Sequence, residues 1–249
     1  MADEGDHGDT AIKTASLPAA LHDAARAPYR RCGRFTYEFA GHKIAGDPIY
    51  LAILERGLLQ GRQRILDLGC GLGLLAATLR AAQDCSRRGE WPANWPAAPC
   101  AASIRGIELK AATAERARHA LGSSADIVQG DIRIADFGTA DAVAIVDVLQ
   151  YIEADAHRAV LERVRQALHP AGLLLLRVGD ADVGLRFRIG QCWDHIEMLA
   201  RGGRFGRLHC RSATEWCALL FQCGFQTRVM AMSKGTPFAN VLLCASPDT

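Results

Sequence analysis

The sequence predicts an α/β fold: an open, doubly wound sheet of seven strands with an N-terminal helical cap and an antiparallel C-terminal hairpin. Three observations carry that expectation. From residue 64 to 180, short apolar runs alternate with stretches of helix-forming residues, the signature of successive βα units around a mostly parallel sheet. The first run closes on glycines at alternate positions, Gly69, Gly71 and Gly73, directly before a helix-forming stretch. Near the C-terminus, two β-rich runs flank a Lys-Gly-Thr-Pro turn, as in an antiparallel pair.

Taken in order, residues 1–20 are polar, acid-rich and aperiodic, and a disordered tail is expected there. Residues 21–60 hold segments with helical potential. In PIYLAILERGLL, Ile49, Ile53 and Leu54 share a face and Gly57 can end the helix, so this segment is expected to form the cap. The main domain, 61–249, opens with RILDLG (64–69) as a strand and LLAATLRAA (74–82) as a helix. IRGIEL (104–109) is the second strand, followed by an Ala-rich helix that Gly122 can cap. DIVQGD (126–131) is the third. AVAIVDVL (142–149) is apolar on both faces, as a central parallel strand should be, and is the fourth. Ala156, Val160, Leu161, Val164 and Leu168 then recur at helical spacing until Pro170 and Gly172, and LLLLRVGD (173–180) is the fifth strand. Ser212 and Glu215 form a capping box for a helix whose Trp216, Leu219, Leu220 and Cys223 share a face and whose end is Gly224. FQTRVMAMS and FANVLLCAS complete the sheet. The stretch 84–103, with three prolines and two Trp-Pro steps, is long for a helix-to-strand loop and reads as a surface insertion anchored by its tryptophans.

Composition narrows the function. Hydrophobic residues make up 49% of the 249, enough for a full core, and the 29 basic residues nearly balance the 27 acidic ones. A net charge of +2 gives no field that would hold the whole molecule on nucleic acid or on an anionic membrane, so neither partner is expected. The N-terminus lacks the basic and apolar regions of a secretory signal, and the longest apolar runs fall far short of the roughly 20 residues of a membrane helix. A cytoplasmic location is expected. Nine cysteines without a C-x-x-C pair read as buried thiols of a reducing compartment, and no metal is expected.

The glycine turn does not have dinucleotide spacing, because Leu74 stands where G-x-G-x-x-G needs its third glycine. Asp67, at the end of the first strand, would repel a pyrophosphate approaching the helix N-terminus, whereas a cationic ligand without phosphate would be attracted. An NAD(P)-dependent oxidoreductase is therefore the weaker alternative, and a catalytically silent interaction module would not need these acids.

Residues 61–180 resemble the class I S-adenosylmethionine (SAM) dependent methyltransferases, whose sheet is Rossmann-like and whose first motif is an acid followed by G-x-G-x-G, here in ILDLGCGLG. The resemblance implies SAM as cofactor and a set of cofactor-binding residues. Asp67, Gly69, Cys70, Gly71 and Gly73 would cradle its amino-acid moiety. Glu108, with Leu109 after it, would take the ribose hydroxyls. Asp131 and the Ile132 amide, in GDIR, would hold the adenine, and Asp147 and Val148 would border the methyl end. The DVLQY that follows the fourth strand is neither the Asp/Asn-Pro-Pro-aromatic motif of nucleobase amine methylation nor the Pro-Cys of C5-cytosine enzymes. Asp147 and Asp180 stand where catechol-type enzymes bind Mg²⁺, but two carboxylates are too few to make a metal site.

FTYEFAGHKIAGDPIY, LLLLRVGDADVGLRFRIGQ and KGTPFANVLLCA together look like methyltransferases found with bacterial aryl-polyene and xanthomonadin-type pigment pathways. That likeness implies a small aromatic acceptor, free or as a thioester on an acidic carrier protein. Arg186, Arg188, Arg201, Arg204, Arg207 and Arg211, opposed only by Asp194 and Glu197, are either a solvated face or the dock for such an acceptor. Arg26, Arg30, Arg31 and Arg34 add a second basic group before the cap helix. Candidate general bases are His42, Tyr151, His195 and His209, and the sequence singles out no catalytic residue.

Overall fold

The computed structural model describes residues 17–180, 209–232 and 239–248. Arg186, Arg188, Arg201, Arg204, Arg207, His195 and the Lys-Gly-Thr-Pro turn lie outside the described residues. Seven strands form one sheet: β1 (Arg64–Leu68), β2 (Ser103–Glu108), β3 (Asp126–Gln129), β4 (Ala140–Val146), β5 (Leu168–Gly179), β6 (Phe225–Ala231) and β7 (Asn240–Pro247). Their spatial order is β3-β2-β1-β4-β5-β7-β6, with the first five parallel and β7 antiparallel to both β5 and β6. Progress from β1 runs outward through β2 to β3 and then returns to the other side of β1 at β4. The C-terminal ends of β1 and β4 therefore flank the point where the winding reverses, which is where open α/β sheets place a ligand crevice.

Among the described residues, seven α-helices pack around this sheet: α1 (Ala19–Arg26), α2 (Arg34–Gly46), α3 (Pro48–Glu55), α4 (Leu74–Arg87), α5 (Ala111–Leu121), α6 (Ala156–Ala167) and α7 (Ala213–Gln222). The described chain is ordered into helix earlier than the expected boundary at residue 20, because Leu17 is buried and Pro18 precedes the first turn of α1. Asp47 caps α3 by accepting from the Ile49 amide, with Pro48 in the first position. The capping box of Ser212 and Glu215 starts α7, as its spacing predicts. Gly57, Gly122 and Gly224 take positive φ where α3, α5 and α7 stop.

Four element ends differ from the sequence pattern. β5 begins at Leu168, not at 173, because Leu168 leaves the helical repeat to pair with Ala140 of β4, so Pro170 and Gly172 lie within the strand and the preceding helix ends at Ala167. β3 stops at Gln129 because the Asp131 carbonyl and carboxylate take the amides of Ala135 and Arg133 and draw the chain into a turn. β4 stops at Val146, since Asp147 turns into the left-handed region and a 3₁₀ turn follows at Leu149–Tyr151. α4 runs on to Arg87, so the expected insertion begins as helix and its irregular part spans 88–102. There Trp91 meets Trp95 edge-on at 5.3 Å and donates to the Pro96 carbonyl, while Pro96 packs against Gly57. This connection enters β2 at its N-terminal end, opposite the crevice, as an anchored surface loop would.

Candidate functional site

The crevice begins with the turn after β1. Gly69, Gly71 and Gly73 all have positive φ, but for different reasons. A Cβ on Gly69 would lie 2.4 Å from Val148, and one on Gly73 2.5 Å from Leu121, so both are needed for packing as well as for backbone shape. A Cβ on Gly71 would meet nothing within 4 Å. Gly71 thus faces open space, and a side chain there would project into the crevice.

Asp67 sits beneath this turn with 5% of its surface exposed, and among the described residues its carboxylate has no hydrogen-bond partner. Burial, reinforced by the neighbouring Glu108, pushes its pKa up to about 7. An orphaned carboxylate at such depth is costly unless a cation or a donor arrives to meet it. Glu108 is also buried, but it is satisfied: Oε2 accepts from the Gly71 amide at 3.0 Å and Oε1 from the Lys110 amide at 2.9 Å. Each of those oxygens keeps a lone pair for a further donor. Next to it, Leu109 is 61% exposed, an apolar face open to a flat apolar group.

The remaining expected site residues are arranged less uniformly. Cys70 is buried, and its sulfur packs so close to Gly106 of β2 that a Cβ there would lie 2.6 Å away, so only its backbone is offered to the crevice. Burial pushes its thiol well up, and it is no nucleophile. Ile132 is buried in the core below β3. Asp131 is gripped by Arg133, whose guanidinium holds the carboxyl below its usual range. Val148 walls the turn at Gly69. Asp147 is chelated by Arg177, and Asp180 accepts from the Ala213 amide at 3.1 Å. Both carboxylates of the Mg²⁺ comparison are therefore occupied within the protein, and the described residues contain no group of three metal-ligating side chains.

Several residues of the site carried no recognisable signal. Tyr29 is buried, and its hydroxyl donates to the Leu72 carbonyl at 3.0 Å, seating the cap on the glycine turn. Tyr50 is buried on α3, its hydroxyl within the field of Asp47, Arg177, Asp67 and Tyr29. In sequence it reads as one more apolar residue of the run PIYLAILE. His157 is fully buried on α6 against Trp216 and donates through Nε2 to the Leu149 and Ile152 carbonyls, while Nδ1 accepts from Arg211 at 3.2 Å. It pins the turn that follows Asp147. Arg211 also donates to the Ala154 carbonyl, so this arginine is committed to the fold. Among the candidate bases, His42 is exposed on α2, and His209 lies beyond the turn, its amide donating to Gln150. Tyr151, at the end of the 3₁₀ turn that follows Asp147, is exposed.

A buried unpaired carboxylate, a second acid with spare acceptors, a backbone cradle open at Gly71 and an exposed apolar residue suit a ligand with a cationic end, hydroxyls and a flat ring. Comparison with known proteins agrees with this geometry. The family model described as a methyltransferase domain matches residues 34–228. Carboxy-S-adenosyl-L-methionine synthase of Chromohalobacter salexigens is 37% identical over 129 residues, covering 50% of this chain and 42% of that protein. The enzyme of the same name from Escherichia coli O7:K1 is 28% identical over 64% of this chain and 67% of its own length. The chain thus spans about two fifths to two thirds of these relatives. Among solved structures, human N-acetylserotonin methyltransferase in complex with SAM superposes with a TM-score of 0.59 at 18% identity, covering 94% of this chain and 61% of that one. Magnesium protoporphyrin IX methyltransferase of Synechocystis, with bound S-adenosylhomocysteine (SAH), gives 0.57 at 19% identity over 91% and 94%. At these identities the likeness is one of fold.

Proposed function

The chain belongs to the methyltransferase-domain family, and on that premise we propose that it is a class I enzyme which moves the methyl group of SAM to a small aromatic acceptor, an aryl acid or its thioester. The observation that carries the cofactor half is Asp67. A buried carboxylate without a partner at the end of β1 is the complement of the ammonium of SAM, and it opposes the pyrophosphate of a dinucleotide. In this reading the backbone of Gly69, Cys70, Gly71 and Gly73 lies along the methionine moiety. The free lone pairs of Glu108 receive the ribose hydroxyls, Leu109 and the Ile132 backbone flank the adenine with Asp131 at its edge, and Asp147 and Val148 border the methyl end. Tyr29 and Tyr50 bring residues 21–60 over the crevice as a cap.

When bound, the sulfonium supplies an already activated methyl group. The protein's own work is then to align the acceptor in line with it and to exclude water, which the cap tyrosines and the wall at Val148 do. The pigment-pathway likeness supplies the acceptor class, and the arginines between 186 and 207 would recruit an anionic or carrier-bound form. The location in this reading is the cytoplasm. A second reading follows from the curated relatives: a carboxylated SAM, not SAM itself, as the nucleotide handled. Mass spectrometry of the small molecules that copurify with the chain, followed by incubation of methyl-labelled SAM with a panel of aryl acids and their thioesters, separates the two. Labelled product with SAH supports methyl transfer. A carboxylated nucleotide with no labelled product supports the second reading.

A further inference from the structure

Among the described residues Arg177 is the only buried arginine, 1% exposed in a stretch of β5 otherwise built from Leu174, Leu175, Leu176 and Val178. Its guanidinium forks between two carboxylates that are distant in sequence. On one side it donates to Asp47, with Nη2 to Oδ2 at 2.7 Å and a second bond from Nη1 to Oδ1. On the other, Nε donates to Asp147 Oδ1 at 2.8 Å and Nη2 to Oδ2. Asp47 is the N-cap of α3 in the cap and is paired as well with Lys43 at 3.2 Å. Asp147 is the one described non-glycine residue with positive φ, +57°, and its amide donates to the Arg177 carbonyl at 3.2 Å. Asp147 is also the partner that reaches the crevice, since 28% of its side chain is exposed.

Burying a cation inside a strand carries a desolvation cost that its partners must offset, and an aliphatic residue would continue the apolar pattern of β5 without that cost. The arrangement does something an aliphatic residue cannot: it joins the start of α3, one turn before Tyr50, to the end of β4. We propose that Arg177 is a positioning residue that latches the cap to the crevice floor, holding Asp147 in its left-handed turn with the carboxylate kept toward the sulfonium end of the bound cofactor. The ligand in this statement rests on the SAM reading above. Arg177 itself touches no ligand, because its guanidinium is enclosed by the two aspartates.

The test uses the full chain and two ligands that differ at the sulfur, SAM with its positive sulfonium and SAH with a neutral thioether. Arg177→Lys keeps the charge but loses the planar fork that spans two carboxylates. The ratio of SAM to SAH affinity, read by calorimetry, is expected to fall by about tenfold, the weight of one charge-assisted contact. Asp147→Asn, which tolerates the left-handed turn, is expected to lower the same ratio and serves should the lysine variant not fold. Asp47→Asn is expected to weaken both ligands in parallel and to speed protease cleavage within residues 17–56. An unchanged SAM/SAH ratio in both Arg177→Lys and Asp147→Asn, whatever happens to melting temperature, overturns the proposal and leaves Arg177 a packing ion pair. Wild-type protein that binds neither ligand contradicts the cofactor reading instead. The latch is then judged by proteolysis: faster cleavage of the cap in both Asp47→Asn and Arg177→Lys supports it, and wild-type rates overturn it.

Discussion

The Gly71 amide donates to the Glu108 carboxylate at 3.0 Å, so the glycine turn after β1 is braced by the acid that ends β2. The same carboxylate takes the Lys110 amide at the start of α5. Glu108 therefore shapes the crevice before any ligand arrives, and a purely ligand-facing role would miss half of what it does.

Glu108→Ala is expected to weaken SAM binding by about 1–3 kcal/mol and also to lower stability by about 1–2 kcal/mol, because two backbone amides lose their acceptor. Glu108→Gln keeps one carbonyl oxygen and should recover part of both losses. Calorimetry and thermal melting on the two variants check this. A loss of melting temperature with unchanged affinity would make Glu108 structural alone.

Asp67 makes binding depend on pH. Its folded pKa of about 7 lies above its ordinary value, so without ligand the folded chain holds a proton that the unfolded chain releases near pH 4. Its contribution to stability is fully present at low pH and is lost as pH rises through 7. SAM, whose ammonium needs the ionised form, should bind more tightly as pH rises from 6 to 8 and should release a proton at pH 6. Calorimetry at pH 6 in two buffers of different ionisation enthalpy reads that proton. Asp67→Asn should bind weakly at both pH values, with no proton released.

His157 is expected to be a structural anchor. Replacing it with Phe keeps the stack on Trp216 but leaves the Leu149 and Ile152 carbonyls without their donor, and should cost about 2–4 kcal/mol by denaturant titration. A change under about 0.5 kcal/mol would contradict this. Arg211→Gln should act in the same direction and more weakly, since Arg211 supports His157 and the Ala154 carbonyl.

Most of the fold could be read from local pattern. Alternating apolar runs, the Gly57, Gly122 and Gly224 stops and the Ser212–Glu215 box all act through near neighbours in the chain, and each is found where its spacing puts it. What escaped is what depends on distant partners. Arg177 interrupts an apolar strand with no local hint of Asp47, 130 positions away, and Asp147 shows its left-handed turn only once that guanidinium is placed. Tyr50 and His157 pass for core residues in sequence because each lies on the apolar face of a short helix. The strand ends at Gln129 and Val146 are hidden from local pattern for a related reason, since an acid just beyond each strand captures groups that the apolar run does not reveal.

Titration of SAM into wild-type chain and into Gly71→Arg tests the central claim most directly. A Cβ on Gly71 meets nothing within 4 Å, so the substitution is expected to fill the crevice and spare the packed core, at a cost of about 1–2 kcal/mol of stability from its positive φ. Gly69→Ala serves as the contrast, because its methyl would strike Val148 and should damage the fold itself. The expected result is micromolar binding by the wild type and no heat of binding from a Gly71→Arg protein that still melts cooperatively. Equal SAM affinity in wild type and a folded Gly71→Arg would contradict the account.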